Sequence, residues 1–231
     1  MVTGILVALD TTDLERAMEV AGELAGHVSG FKVGLELLTG AGPEALRRVA
    51  GLGMPVMADA KLHDIPNTVE RAASNIASAG ARWVTAHALG GSEMLAAAVH
   101  GMQGSNEASG VIGVTMLTSL DQGHLIEAGI DTALPGIVGR LADVAAAAGA
   151  EGIVCSPLEA SSVKARHGDM VVMTPGIRLS EGDIHDQRRV MTPAAASDAG
   201  ADYLIIGRAI TTADDPVAVV ESISKSLRQE G

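Results

Sequence analysis

The stretch "PVMADAKLHDIPNTV", residues 55–69, decides how the chain folds. It begins as an unbroken apolar run, turns charged at Asp59, Lys61 and Asp64, and then meets Pro66. A proline suits the first turn of a helix, where its missing N–H costs nothing. The stretch is therefore a buried strand passing through a charged end into a helix. Unbroken apolar strands are characteristic of parallel sheets covered on both faces.

The same unit recurs along the chain. Strand-like runs occupy 5–10, 31–37, 55–62, 83–88, 110–117, 152–156, 171–176 and 203–207. Ala-rich amphipathic stretches separate or follow them at 13–27, 43–52, 66–79, 92–103, 136–149, 157–167, 192–199 and 214–229. Asp13, Pro43, Pro66, Ser92 and Pro193 read as helix starts. Gly-Ala pairs in "SAGARW", "AAGAEG" and "DAGADY" read as helix ends turning into strands. The expected fold is α/β, a (β/α)8 TIM barrel forming a single domain over 1–231. The alternative is an open doubly wound sheet, which would lack so regular a run of units.

Composition sets further bounds. The apolar fraction is 47%, yet Phe31, Trp83 and Tyr203 are the only aromatics, so aliphatic residues and Met must fill the core. A formal net charge of −12 argues against nucleic acid or an anionic membrane as partner. Cys155 is the only cysteine, so no disulfide forms within one chain, as suits a reducing cytoplasm. "MVTGILVALD" lacks a basic segment before its short apolar run, so no signal peptide is expected. No apolar stretch is long enough for a membrane span. The histidines show no metal-binding spacing, and no metal ligand is assigned.

Barrel chemistry belongs at the C-terminal ends of strands. Those ends carry Asp10, Asp59, Lys61, His87, Thr115, Thr118, Ser156, Thr174 to Arg178, and Gly207–Arg208, with Lys32 near the start of its run. Alternation along a strand puts Asp59 and Lys61 on one face. Neighbouring carboxylates favour a charged lysine, which suits a proton donor more than a Schiff-base amine. A structural ion pair is the competing reading. A buried pair rarely stabilises a fold, however, so its presence at a strand end leans towards function. Asp64 is open to two readings from spacing alone: a site residue, or a charge at a helix start. The segment 176–191 shows no clear period and is expected to be a lid. "LIIGRAIT" offers a Gly-Arg turn suited to phosphate.

"DAKLHDIPNTV" resembles the active-site signature of the orotidine 5′-phosphate decarboxylase family. "ALD", "FKVG", "MLTS", "CSPLEA", "TPGIR", "DQRRVMTP" and "IIGRAIT" extend the likeness, in order, over nearly the whole chain. The resemblance implies conversion of orotidine 5′-monophosphate to uridine 5′-monophosphate, closing de novo pyrimidine nucleotide synthesis, with no metal or other cofactor. It implies a catalytic array of Lys32, Asp59, Lys61 and Asp64, with Lys61 protonating C6 of the pyrimidine. It also implies a homodimer in which Asp64 and Thr68 reach across to the partner's site. Asp10, Lys32 and Thr68 would contact the ribose, and Thr118 the pyrimidine. Asp59 would lie near the substrate carboxylate, and Ile65 joins the binding set. Gln187, Gly207 and Arg208 would hold the phosphate, with Arg178 at the start of the lid.

Two rivals stand beside this reading. Sister enzymes of the superfamily, magnesium-dependent sugar-phosphate decarboxylases or aldolases, also carry an Asp-x-Lys-x-x-Asp strand. They use an acidic residue on strand two, where this chain has Lys32. The other rival is a catalytically inactive barrel that binds nucleotides.

Overall fold

In the computed structural model, which describes residues 3–178 and 191–229, the apolar runs become eight parallel strands. They are β1 (Gly4–Ala8), β2 (Gly30–Gly34), β3 (Val56–Leu62), β4 (Trp83–His87), β5 (Gly110–Val114), β6 (Gly152–Val154), β7 (Val171–Thr174) and β8 (Tyr203–Ile206). Each pairs with the next, and β1 pairs with β8 to close a barrel in chain order. The helices are α1 (Leu14–Leu24), α2 (Leu35–Ala41), α3 (Pro43–Ala50), α4 (Pro66–Ser78), α5 (Gly91–Ser105), α6 (Gln122–Glu127), α7 (Leu134–Ala147), α8 (Pro157–Arg166), α9 (Pro193–Asp198), α10 (Arg208–Thr211) and α11 (Pro216–Gln229). None of the described helices is long and apolar enough to cross a membrane.

Local signals explain most boundaries. The Asp13 carboxylate accepts the N–H groups of Glu15 and Arg16 and so starts α1. Proline opens α3, α4, α8 and α9. Gly80, Gly149 and Gly200, from the Gly-Ala pairs, take φ of 96°, 77° and 97°, the left-handed turn that ends a helix. Ser92 does not start its helix. A 3₁₀ turn, Ala88–Gly90, feeds α5 directly, and the helix begins at Gly91. The run 31–37 also divides: β2 stops at Gly34 and Leu35 opens α2. An unbroken apolar run cannot by itself separate a strand from a buried helical turn.

Among the described residues, two buried clusters form the core. The larger lies between strands and helices and includes Val7, Phe31, Val33, Leu46 and Val84. The smaller, Leu6, Ala8, Met57, Trp83, Ile112, Met173 and Ile205, fills the barrel. Each fully buried aliphatic side chain contributes roughly 1.5–3 kcal/mol relative to an exposed one.

Trp83 and Tyr203, at the N-terminal ends of β4 and β8, pack edge to face with centroids 5.4 Å apart. Glu151 accepts the Trp83 Nε1–H at 3.0 Å and both arms of the Arg82 guanidinium at 2.7 and 2.6 Å. These contacts seal the lower end, and the charges of 59–64 lie towards the opposite one.

Candidate active site

β3 is irregular where its charges begin. Ala58 pairs with Val84, but the next partner pair is Leu62 with Ala86, so β3 bulges between them. Lys61 takes φ 50°, the one positive value at a non-glycine among the described residues. Its N–H donates to Thr85 Oγ1 at 2.9 Å. Thr85 Oγ1 in turn donates to Asp59 Oδ1 at 2.9 Å. Asp59 and Lys61 thus meet across a bulge and not by simple alternation.

The charges form a chain. Lys61 Nζ lies 2.7 Å from Asp59 Oδ2, and Lys32 Nζ approaches the same oxygen at 3.5 Å. Lys32 Nζ also donates to Asp10 Oδ1 at 2.7 Å. Lys32 and Asp59 are 7% and 9% exposed, so their charges must answer one another. Burial pushes the Asp59 carboxyl upward, but the ammonium groups of Lys32 and Lys61, with hydrogen bonds from Lys61 and Thr85, outweigh it and hold it below the usual carboxylate value.

Above the chain, the His87 ring stands 5.5 Å from that of His63. Burial lowers the His87 pKa, and the neighbouring His63 ring and Lys61 ammonium add to this against the pull of Asp59.

The remaining candidates separate by position. Asp64, Ile65 and Thr68 are exposed at the start of α4, and Asp64 Oδ1 accepts the Ile65 N–H at 2.6 Å. Thr118 is half-buried beyond β5. Thr115 is tied to Val154 O at 2.9 Å and joins strands. Ser156 is the N-cap of α8, accepting from Leu158 N, and does not line the site as an open hydroxyl. Cys155 is fully buried.

At the end of β8, beside β1, Gly207 precedes Arg208, the exposed first residue of α10. A Cβ on Gly207 would stand 3.9 Å from Asp10 Oδ2, so this turn borders the charged chain. Arg178 N donates to Met191 O and Met191 N to Gly176 O, which ties together the two ends of the expected lid. Gln187 and most of that segment lie outside the described residues.

Among the described residues, two more border the array that the sequence pattern does not mark. Thr85 is one; its signal is a hydroxyl between inward-facing Trp83 and His87 in an otherwise apolar strand. Gly34 is the other: a Cβ there would lie 2.6 Å from Asp10 Oδ1 and 2.7 Å from Lys32 Nζ. The arrangement can hold hydroxyl groups against Asp10 and Lys32, set a fixed negative charge at Asp59 and present a proton at Lys61.

Residues 3–223 match the family described as orotidine 5′-phosphate decarboxylase / HUMPS. The chain is 45% identical to the orotidine 5′-phosphate decarboxylase of Paramagnetospirillum magneticum, over 98% of this chain and 99% of the relative. It is 44% identical to that of a Marinomonas species, over 96% of each. Among solved structures, the orotidine 5′-phosphate decarboxylase of Lactobacillus acidophilus superposes with a TM-score of 0.87 at 33% identity, covering 98% of this chain and 99% of the other.

Proposed function

Because the chain belongs to the orotidine 5′-phosphate decarboxylase / HUMPS family, we propose that it is a carboxy-lyase converting orotidine 5′-monophosphate to uridine 5′-monophosphate without a metal or other cofactor. The observation that carries this reading is the Lys61 ammonium set 2.7 Å from Asp59, with Lys32 behind the same carboxylate.

Breaking the bond from C6 to the carboxylate leaves its electron pair on C6 and releases carbon dioxide. The pyrimidine has no obvious sink for that pair. Fixed charge in a water-poor site must therefore stabilise it. Lys61 faces the developing carbanion and gives C6 a proton, which it regains from solvent. Asp59 lies beside the substrate carboxylate and keeps Lys61 in place. Lys32 and Asp10 hold the ribose hydroxyls, and Thr118 lies against the pyrimidine. Gly207, Arg208 and Gln187 take the phosphate, with Arg178 at the lid. Binding energy at the distant phosphate then helps to lower the barrier at C6.

A homodimer completes the site. Asp64, Ile65 and Thr68 lie at the rim, exposed, where a second copy would receive them. Leu35, Ile65 and Leu89, just beyond β2, β3 and β4, are 51%, 66% and 47% exposed, an apolar edge that a second copy would cover. A cytoplasmic location fits this role.

The magnesium-dependent sister reactions are disfavoured by Lys32. Its ammonium lies between Asp10 and Asp59, where a divalent cation would need those carboxylates. The test follows pyrimidine absorbance when orotidine 5′-monophosphate is added to EDTA-treated protein. Steady loss of absorbance is expected. Activity that vanishes with EDTA and returns with magnesium would favour the sister chemistry. No turnover in either condition would leave a nucleotide-binding barrel.

A further inference from the structure

Thr85 is 0% exposed and belongs to neither side of the ion-pair chain, yet its hydroxyl touches both halves of the Asp59–Lys61 pair. A threonine hydroxyl has one proton. The Lys61 N–H points into the oxygen, so the hydroxyl proton is committed to the Asp59 carboxylate. The side chain also replaces a ladder partner that the bulge has removed from the Lys61 N–H. A left-handed lysine persists only where its surroundings over-determine it, and this hydrogen bond is one such constraint.

We propose that Thr85 is a positioning residue for the decarboxylation: its hydroxyl ties the Asp59 carboxylate to the Lys61 backbone and so fixes the Lys61 ammonium at the reacting carbon. The inference rests on the function proposed above. A purely structural Thr85 would only satisfy a buried N–H in the bulge. Removing it would lower stability and leave the folded enzyme's chemistry alone. A positioning Thr85 also sets the charge balance of the site. The groups facing Asp59 are Lys32 and, beyond it, Asp10, on the β2 and β1 side, Lys61 on β3 itself and Thr85 on β4. His87 and His63 stand above. Of these, Thr85 alone is a neutral donor to the carboxylate whose removal leaves every formal charge in place.

The experiment compares wild type with Thr85→Val and Thr85→Ser. Valine keeps the shape and loses both hydrogen bonds, whereas serine keeps the hydroxyl. kcat and KM for orotidine 5′-monophosphate are measured from acid to neutral pH. Separately, the Asp59 carboxyl is titrated by carbon-13 NMR in ligand-free protein, with Asp59→Asn assigning the signal. Thr85→Val is expected to lower kcat by on the order of 10- to 100-fold with a smaller change in KM. Losing a donor to the charged form moves the acid limb of kcat and the Asp59 titration to higher pH. Thr85→Ser should recover most of both. A folded valine variant with unchanged kcat and an unmoved acid limb would overturn the proposal.

If the valine variant does not fold, Thr85→Ala takes its place under the same criteria. If wild type itself fails to decarboxylate this substrate, the functional reading falls first. The NMR titration, which needs no substrate, still judges Thr85. An upward shift in valine but not in serine supports the tether, and identical titrations in all three proteins refute it.

Discussion

Gly34 and Asp10 are close neighbours: a Cβ on Gly34 would stand 2.6 Å from Asp10 Oδ1, so a side chain there must displace the carboxylate. The glycine's φ is −88°, which any residue adopts, so the constraint is space and not backbone freedom. Gly34→Ala should fold normally yet push apart Asp10 and Lys32, whose contact is 2.7 Å. kcat/KM should fall by about tenfold or more, because small displacements of catalytic groups are costly. Matched thermal midpoints with reduced turnover would support this. Full activity in the variant would show that the pair absorbs the methyl group.

Lys61→Ala should abolish decarboxylation while leaving the barrel intact. The Asp59 carboxylate would retain Lys32 at 3.5 Å and Thr85 at 2.9 Å, so its buried charge is not stranded. Proton donation and electrostatic stabilisation together should account for roughly three orders of magnitude or more. Turnover above about a tenth of wild type would remove Lys61 from the role of acid.

The barrel itself is legible because each unit announces itself twice, by an unbroken apolar run and by a proline or glycine at its edge. Strand ends are less legible: Leu35 and Leu37 continue the apolar run of β2 although they belong to α2. The charged residues of 57–69 are conspicuous in sequence because charges are rare in buried strands. The bulge that turns Lys61 is not, since a two-residue alternation looks the same with or without it. Thr85 and Gly34 are hidden for opposite reasons. One hydroxyl in an apolar strand looks like packing, and a glycine records only the side chain it lacks.

Asp64 should act in the partner's site. Its exposed position before α4 is compatible with that geometry, and the proposed dimer requires it. Lys61→Ala and Asp64→Ala proteins, each inactive alone, are mixed under conditions that exchange subunits. Random pairing makes half of the dimers mixed, each with one intact site of two, so activity should approach about a quarter of wild type. Verified exchange without recovered activity would return Asp64 to its own barrel or remove it from the site.

His87 should make the fold acid-sensitive. Burial first, then the neighbouring His63 and the Lys61 ammonium, lowers its pKa from the ordinary 6.5. The unfolded chain therefore takes up this proton at a higher pH than the folded one. Stability from the neutral ring is present above about pH 6.5 and is lost as pH falls towards the lowered value. His87→Gln should flatten the dependence of the urea midpoint on pH in that window. Identical slopes for variant and wild type would assign the acid sensitivity to other groups.

Arg208→Ala should weaken the response to the substrate phosphate and leave the chemistry at C6 intact. Arg208 opens α10 directly after Gly207 at the end of β8, the strand beside β1. Backbone N–H groups of that turn remain after the side chain is cut back. Losing one charge-assisted contact should cost about 2–4 kcal/mol in kcat/KM for the nucleotide. The nucleoside lacks the phosphate, so both proteins should turn it over poorly and nearly equally. Measuring kcat/KM for both substrates with both proteins separates binding of the phosphate from support of the fold. Equal losses on nucleotide and nucleoside would place Arg208 outside the phosphate site and make the turn after β8 a structural element.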